Sequence, residues 1–129
     1  MQKIQNIQAP ISLGELIDKI TILQIKTQHL QDTALKHVTT ELNALERTLN
    51  NLNLSINPKL IQQLKEVNQD LWNIEDDIRE KERQQNFDDS FIQLARSVYK
   101  QNDRRSAIKK EINTTYSSAF TEEKSYKPY

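Results

Sequence analysis

Residues 35–52 read LKHVTTELNALERTLNNL, residues 58–78 read PKLIQQLKEVNQDLWNIEDDI, and the apolar spacing in these two stretches decides the fold. In the first, Leu35, Val38, Leu42, Leu45, Leu49 and Leu52 step by 3, 4, 3, 4 and 3. In the second, Leu60, Leu64, Val67, Leu71, Ile74 and Ile78 step by 4, 3, 4, 3 and 4. Alternating steps of three and four keep side chains on one stripe of an α-helix. Between the stretches Asn53 to Pro58 is a loop, and Pro58 suits the first turn of a new helix because it has no N–H to waste. Two matched seams on a short loop predict an antiparallel, coiled-coil-like hairpin over 33–84. It would pair the Leu49 region with Leu64 and Leu35 with Ile78.

On the N-terminal side, residues 1–11 read as an extended segment. Ser12-Leu-Gly-Glu15 then fits a capping box, in which the serine hydroxyl takes a free N–H and the glutamate reaches back. Leu13, Leu16, Ile17, Ile20, Leu23 and Leu30 have helical spacing, and Ile22 and Ile25 widen the stripe. A helix with so broad an apolar surface is buried on more than one side. Gln31-Asp32-Thr33 marks a break, with Asp32 placed to cap the next helix. Towards the C-terminus, Asn86 to Asp89 reads as a turn and a new helix start, and the acids suit the positive end of a helix. Phe91, Leu94, Ala95, Val98, Ile108 and Ile112 carry the stripe over 88–114, while Gln101, Asn102 and Arg105 stand where apolar residues would fall. Either the helix breaks near Asn102, or one long helix carries polar groups in its packed face. Residues 115–129 have no period but three tyrosines, and predict an irregular aromatic tail. Glu122 to Tyr126 could fold back over a polar layer and donate a tyrosine hydroxyl, or form a solvated end. The reading is one all-α domain over 1–129, a bundle of four to five helices.

Composition supports this and narrows the chemistry. Leu, Ile, Val and Phe make 34 of 129 residues, enough for a modest core and too many for a disordered chain. One glycine and three prolines are too few for a sandwich, a barrel or a glycine-rich phosphate loop. The lack of cysteine excludes disulfides, thiol catalysis and Cys-based metal sites. Eighteen basic and eighteen acidic residues leave no net field to draw the chain onto nucleic acid or a membrane. The first ten residues lack a signal-peptide pattern and no apolar run could span a bilayer, so a cytoplasmic location is the default expectation.

Charge is unevenly placed. Glu66 to Asp89 holds nine acids and three bases, whereas Arg96 to Lys110 holds six bases and one acid. The structural explanation is that the third and fourth helices lie side by side, with weak border ion pairs. The functional one is that some of these groups converge. Trp72, Glu75, Asp76 and Arg79 share a face beside the seam, and Arg96, Tyr99, Asn102, Asp103 and Arg104 could meet them from the next helix. Such a layer could fix register or hold a small anion through the donor forks of Arg79 and Arg96. A metal reading uses Glu15 with Asp18 and Asp76 with Glu80, two carboxylate pairs able to present oxygens to Mg²⁺ or Mn²⁺. That pattern is similar to the all-α nucleoside-triphosphate pyrophosphatases, although their acidic motif pair is not reproduced. Leu16-Ile-Asp-Lys-Ile20 is similar to the helical chorismate mutases, but the first helix offers Lys19 and Lys26 and no arginine. His29 and His37 lack a third metal ligand and read as surface histidines. Arg104-Arg105 with Lys109-Lys110 makes a basic strip near Tyr116, and neighbouring acids cancel its long-range pull on nucleic acid.

Ala9-Pro-Ile-Ser-Leu-Gly-Glu-Leu-Ile-Asp-Lys-Ile20, Leu71-Trp-Asn-Ile-Glu-Asp-Asp-Ile-Arg79, Phe91-Ile-Gln-Leu-Ala-Arg-Ser-Val-Tyr99, Asn102-Asp-Arg104 and Glu122-Glu-Lys-Ser-Tyr126 occur together here. As a set they resemble a family of short bacterial and phage proteins known as a domain of unknown function, over nearly the whole chain. The resemblance implies a complete family member and carries no activity with it. It directs attention to the polar residues of those strings: Glu15, Asp18, Lys19, Trp72, Glu75, Asp76, Arg79, Arg96, Tyr99, Asn102, Asp103 and Arg104.

The leading expectation is a binding or accessory protein. Arg79 and Arg96 would grip a small anionic ligand or a partner protein, Tyr99 and Asn102 would orient it, and Trp72 would wall the pocket. The rivals are a metal-dependent hydrolase of phosphoesters or nucleotides, and a structural coiled-coil adaptor that self-associates.

Overall fold

A computed structural model describes residues 3–129; Met1 and Gln2 of the expected extended segment lie outside the described residues. Four helices follow in order: α1 (Leu13–His29), α2 (Asp32–Asn50), α3 (Pro58–Arg83) and α4 (Asp89–Thr115). The domain is an all-α bundle. Among the described residues no helix is long and apolar enough to cross a membrane.

The helix starts follow from short polar side chains. Ser12 caps α1, its Oγ accepting from the Glu15 N–H at 3.1 Å. Asn57 caps α3 with Pro58 in the first turn, and Asp88 caps α4 by accepting from Phe91 N–H at 3.0 Å. The second half of the predicted capping box does not form, because the Glu15 carboxylate goes to Lys109 instead. An ammonium is the stronger partner for a carboxylate than a neutral N–H. Asp32 is not the cap of α2 either; Gln31 holds that position without a side-chain bond, and Asp32 begins the helix at φ 56°.

Helix ends are turned without glycine. Gln85 and Ser117 take positive φ after α3 and α4. In each case two backbone bonds close the last turn, Asn86 N–H to Lys81 C=O and Ser118 N–H to Asn113 C=O being the outer ones. The only glycine, Gly14, is used elsewhere, at the contact between α1 and α4.

The order of packing differs from the hairpin expected over 33–84. Helix α1 lies against α2, α3 and α4, and α3 lies against α4, while α2 and α3 make no close backbone approach. Helix α1 has the broad apolar surface needed for this, burying Leu13, Leu16, Ile17, Ile20, Leu23 and Ile25. It therefore takes the seam of α2 on one side and that of α3 on another, and separates the two arms. Leu49 still reaches the edge of the core, but α2 has no buried residue. The core itself is Leu13 and Ile17 of α1, Leu60, Leu64 and Val67 of α3, and Ile108 and Ile112 of α4.

Helix α4 runs unbroken through Asn102, which selects the second of the two alternatives read there. The helices are unequal in length: α1 has 17 residues, α3 has 26 and α4 has 27. Fully buried positions of α3 end at Asn68, and those of α4 begin only at Ile108. Beyond Trp72, which stacks on the last residue of α1, α3 and the first part of α4 form a two-helix arm. Two helices alone cannot enclose a polar layer, and this determines where the site can be.

Candidate functional site

On α1, Glu15, Asp18 and Thr21 are three residues apart and share a face; on α4, Arg105, Lys109 and Asn113 are four apart and share another. The two stripes meet with Asn68 of α3 at their edge, alongside the apolar core. Asp18 is completely buried. Arg105 grips it with both arms of its guanidinium, Nε donating to Oδ1 at 2.9 Å and Nη2 to Oδ2. Asn68 Nδ2 donates to Asp18 Oδ1 at 2.8 Å and to Thr21 Oγ1 at 2.9 Å. Thr21 in turn donates to the Asp18 carbonyl at 2.8 Å. A buried carboxylate needs this many donors, because nothing else repays the water it has lost. The hydrogen bonds from Arg105 to Asp18 hold the guanidinium protonated above its ordinary range, against the opposing effect of burial.

Lys109 is the second buried charge, 6% exposed. Its Nζ donates to Glu15 Oε2 at 2.6 Å and to Glu122 Oε2 at 2.8 Å, and lies 3.9 Å from Asp18. Burial pulls its pKa down, but the bonds to Glu122 and Glu15 and the Asp18 charge outweigh that and raise it. Next to it, Gly14 N–H donates to Asn113 Oδ1 at 2.7 Å, tying the start of α1 to the end of α4.

Residues 117–129 form no helix or strand and run back along α4. Ser118 Oγ accepts from Leu13 N–H at 3.1 Å. Glu122 lies between two ammonium groups, Lys109 at 2.8 Å and Lys124 at 2.7 Å. At the far end Tyr129 donates its hydroxyl to Asp103 at 2.6 Å and meets the Tyr99 ring edge-on, centroids 4.9 Å apart. Of the two alternatives read for the tail, it takes the folded-back one, and the donating hydroxyl is that of Tyr129 and not of Tyr126. Between tail and α4 lies an open cleft of about 800 Å³ that includes Glu15, Tyr99, Asn102, Asp103, Arg105, Lys109, Lys124, Tyr126 and Lys127 in its lining.

The clasp at Glu122 has a pH signature. Hydrogen bonds from Lys109, then from Lys124, hold its carboxyl down from an ordinary 4.5 to about 2. A depressed acid stabilises the folded tail above its unfolded pKa, and that contribution is lost as pH falls through the folded value. The tail contact should therefore be intact above about pH 4.5 and weaken between there and pH 2. A carbon-detected NMR titration should place the Glu122 midpoint near 2, and a midpoint near 4.5 would show that the clasp is not formed.

Of the residues singled out from sequence, Glu15, Tyr99, Asn102 and Asp103 line this cleft, and Asp18 is held by Arg105 of its lining. Those of α3, with Arg96 and Arg104, do not converge there. Glu75, Asp76, Arg79 and Glu80 are exposed on the two-helix arm, and Glu80 pairs with Arg83. Arg96 is exposed and reaches only Tyr99 at 3.5 Å, and Arg104 lies 3.9 Å from Asp70. Trp72 is half-buried and stacked on His29 with centroids 4.6 Å apart, its indole N–H without a partner. The end of α1 at His29 is the reason: past it, no third helix covers α3 and α4. For the same reason the four acids of the metal reading are not assembled. Glu15 and Asp18 pair with cations, and no group of three or more His, Asp or Glu among the described residues is arranged to hold a metal ion.

Asn68, Lys109, Asn113 and Glu122 were not chosen from sequence as the site. Arg105 gave the clearest signal, as a base in an apolar slot of an otherwise regular stripe. Its spacing to Lys109 and Asn113 completes a polar line beside Ile108 and Ile112. A second concavity, lined more by apolar than by polar surface, lies between residues 6–13, α2 and Tyr116, and includes Ile11, Leu45, Leu52 and Leu54.

The chain belongs to DUF6165, a family of unknown function, whose profile matches residues 7–128. No curated protein and no solved structure matches it.

Proposed function

We propose that this member of DUF6165 is a binding protein for a small anion, seated in the cleft between α4 and the C-terminal tail. Lys109 and Lys124 are its cationic groups, and Tyr99, Tyr126 and Tyr129 its walls. The observation that carries the reading is Lys109, an ammonium group drawn almost wholly out of water yet lining an open cleft. A lysine in a purely structural pair sits more cheaply at the surface, where desolvation costs little. Here Asp18 and Arg105 brace the floor of the cleft, Glu15 orients Lys109, and the cleft side of the ammonium already meets one anionic group, the Glu122 carboxylate of the tail.

Thermal midpoints of the wild type with inorganic phosphate, citrate or a nucleoside monophosphate test this. A ligand at 100 times its Kd adds about 2.7 kcal/mol, which reads as several degrees. The shift should appear with at least one of these anions and disappear in Lys124→Ala/Lys127→Ala, two exposed positions whose loss leaves the bundle intact. No shift with any anion would overturn the proposal.

The rivals keep separate signatures. A hydrolase needs a Mg²⁺ or Mn²⁺ shift that Asp76→Ala abolishes. A self-associating adaptor, which the half-covered seam of α2 would serve, needs a solution mass that rises with concentration.

A further inference from the structure

We infer that Glu122 is the chain's own occupant of this anion seat, and that a carboxylate or phosphate ligand enters by displacing it and freeing the tail. The inference rests on the anion-binding reading above.

Glu122 is held as a bound ligand would be, each carboxylate oxygen on its own ammonium group, Oε2 on Lys109 and Oε1 on Lys124. Its side chain is 39% exposed while that of Lys109 is 8% exposed, so the acid caps the lysine from the solvent side. Glu15 and Asp18 meet Lys109 from α1, and they remain when Glu122 leaves. Displacement therefore does not strand a buried charge. What holds Glu122 in place is weak by comparison. Residues 119–125 are all exposed and form no regular structure, and the Tyr129 to Asp103 contact beyond them is exposed too.

A tethered carboxylate competes at an effective concentration of roughly millimolar for a short flexible segment. It therefore lowers the apparent affinity for any external anion, by the fraction of time the seat is free. Removing the internal acid without removing the cations should strengthen binding, which is the reverse of what loss of an ordinary contact does.

The experiment is calorimetric titration of the full chain, wild type against Glu122→Gln and Glu122→Ala. The two probes, inorganic phosphate and citrate, distinguish a phosphate seat from a carboxylate one. Backbone order of residues 118–129, read by ¹⁵N relaxation, is followed with and without the probe. Both variants should bind at least one probe about fivefold tighter or more, and in the wild type the probe should make the tail more mobile. Equal or weaker binding in both variants, or a tail as ordered in the saturated wild type as without the probe, overturns the displacement while leaving the anion site standing. If none of the three proteins binds either probe, both proposals fall.

Discussion

Replacing Asp18 by alanine should cost about 3–5 kcal/mol, the range for breaking a buried ion pair by removing one partner. The carboxylate is fully buried and, among the described residues, is the one hydrogen-bonded anchor of the Arg105 guanidinium. Without it the Arg105 guanidinium loses its acceptor and the Asn68 amide keeps only Thr21, beside an emptied space. The thermal midpoint should fall by roughly ten degrees or more. Asp18→Asn should cost nearly as much, although it keeps the volume, because its amide would turn N–H groups toward Arg105. The apolar double variant Asp18→Leu/Arg105→Met should lose less than either single substitution, since removing both charges removes the penalty of stranding one. Urea unfolding of the wild type, Asp18→Leu, Arg105→Met and the double variant checks this. Additive losses would show that Asp18 and Arg105 are not the coupled pair.

Gly14→Ala should also destabilise, by about 2–3 kcal/mol, even though alanine favours a helix over glycine by about 1 kcal/mol. A β-carbon at this position would stand 2.6 Å from the Lys109 carbonyl oxygen and 3.0 Å from Asn113 Oδ1. The carbonyl belongs to the α4 backbone and cannot rotate aside. Helix α1 must move off α4, and the Gly14 N–H to Asn113 bond goes with it. Because Lys109 sits at that contact, the same substitution should loosen the tail clasp at Glu122. Equilibrium unfolding gives the first effect and ¹⁵N relaxation of residues 118–129 the second. A variant as stable as the wild type would show that the helices approach less closely than described.

The start of α1 at Ser12, the proline-led start of α3 and the turn before α4 were legible because each depends on local chemistry, a short acceptor or a missing N–H. The many-sided burial of α1 was legible for a similar reason, as Ile22 and Ile25 fall outside any single stripe. What periodicity does not contain is the identity of the partner. The seams of α2 and α3 are equally regular, and a regular seam states which face is covered but not by what. Here α1 covers both, and the hairpin that closes is α3 with α4. The same gap misdirected the site. Arg79 and Arg96 were chosen for their dense surroundings along the chain, yet the arm that carries them has no third wall. The residues that are enclosed come from far apart, Asp18 with Arg105 and Glu15 with Lys109, and their only local mark was polarity in an apolar stripe. Gly14 gave no mark at all, because a glycine in a first helical turn reads as part of a cap.

The most direct measurement of the anion site is an amide NMR titration of the wild type with inorganic phosphate and with citrate. Saturable shifts should gather at Lys109, at Glu122 to Tyr129 and at Tyr99 to Ser106, the three stretches that surround the cleft. Saturable shifts at Trp72 to Arg79 with none in the tail, or no saturable shift with either anion, would contradict it.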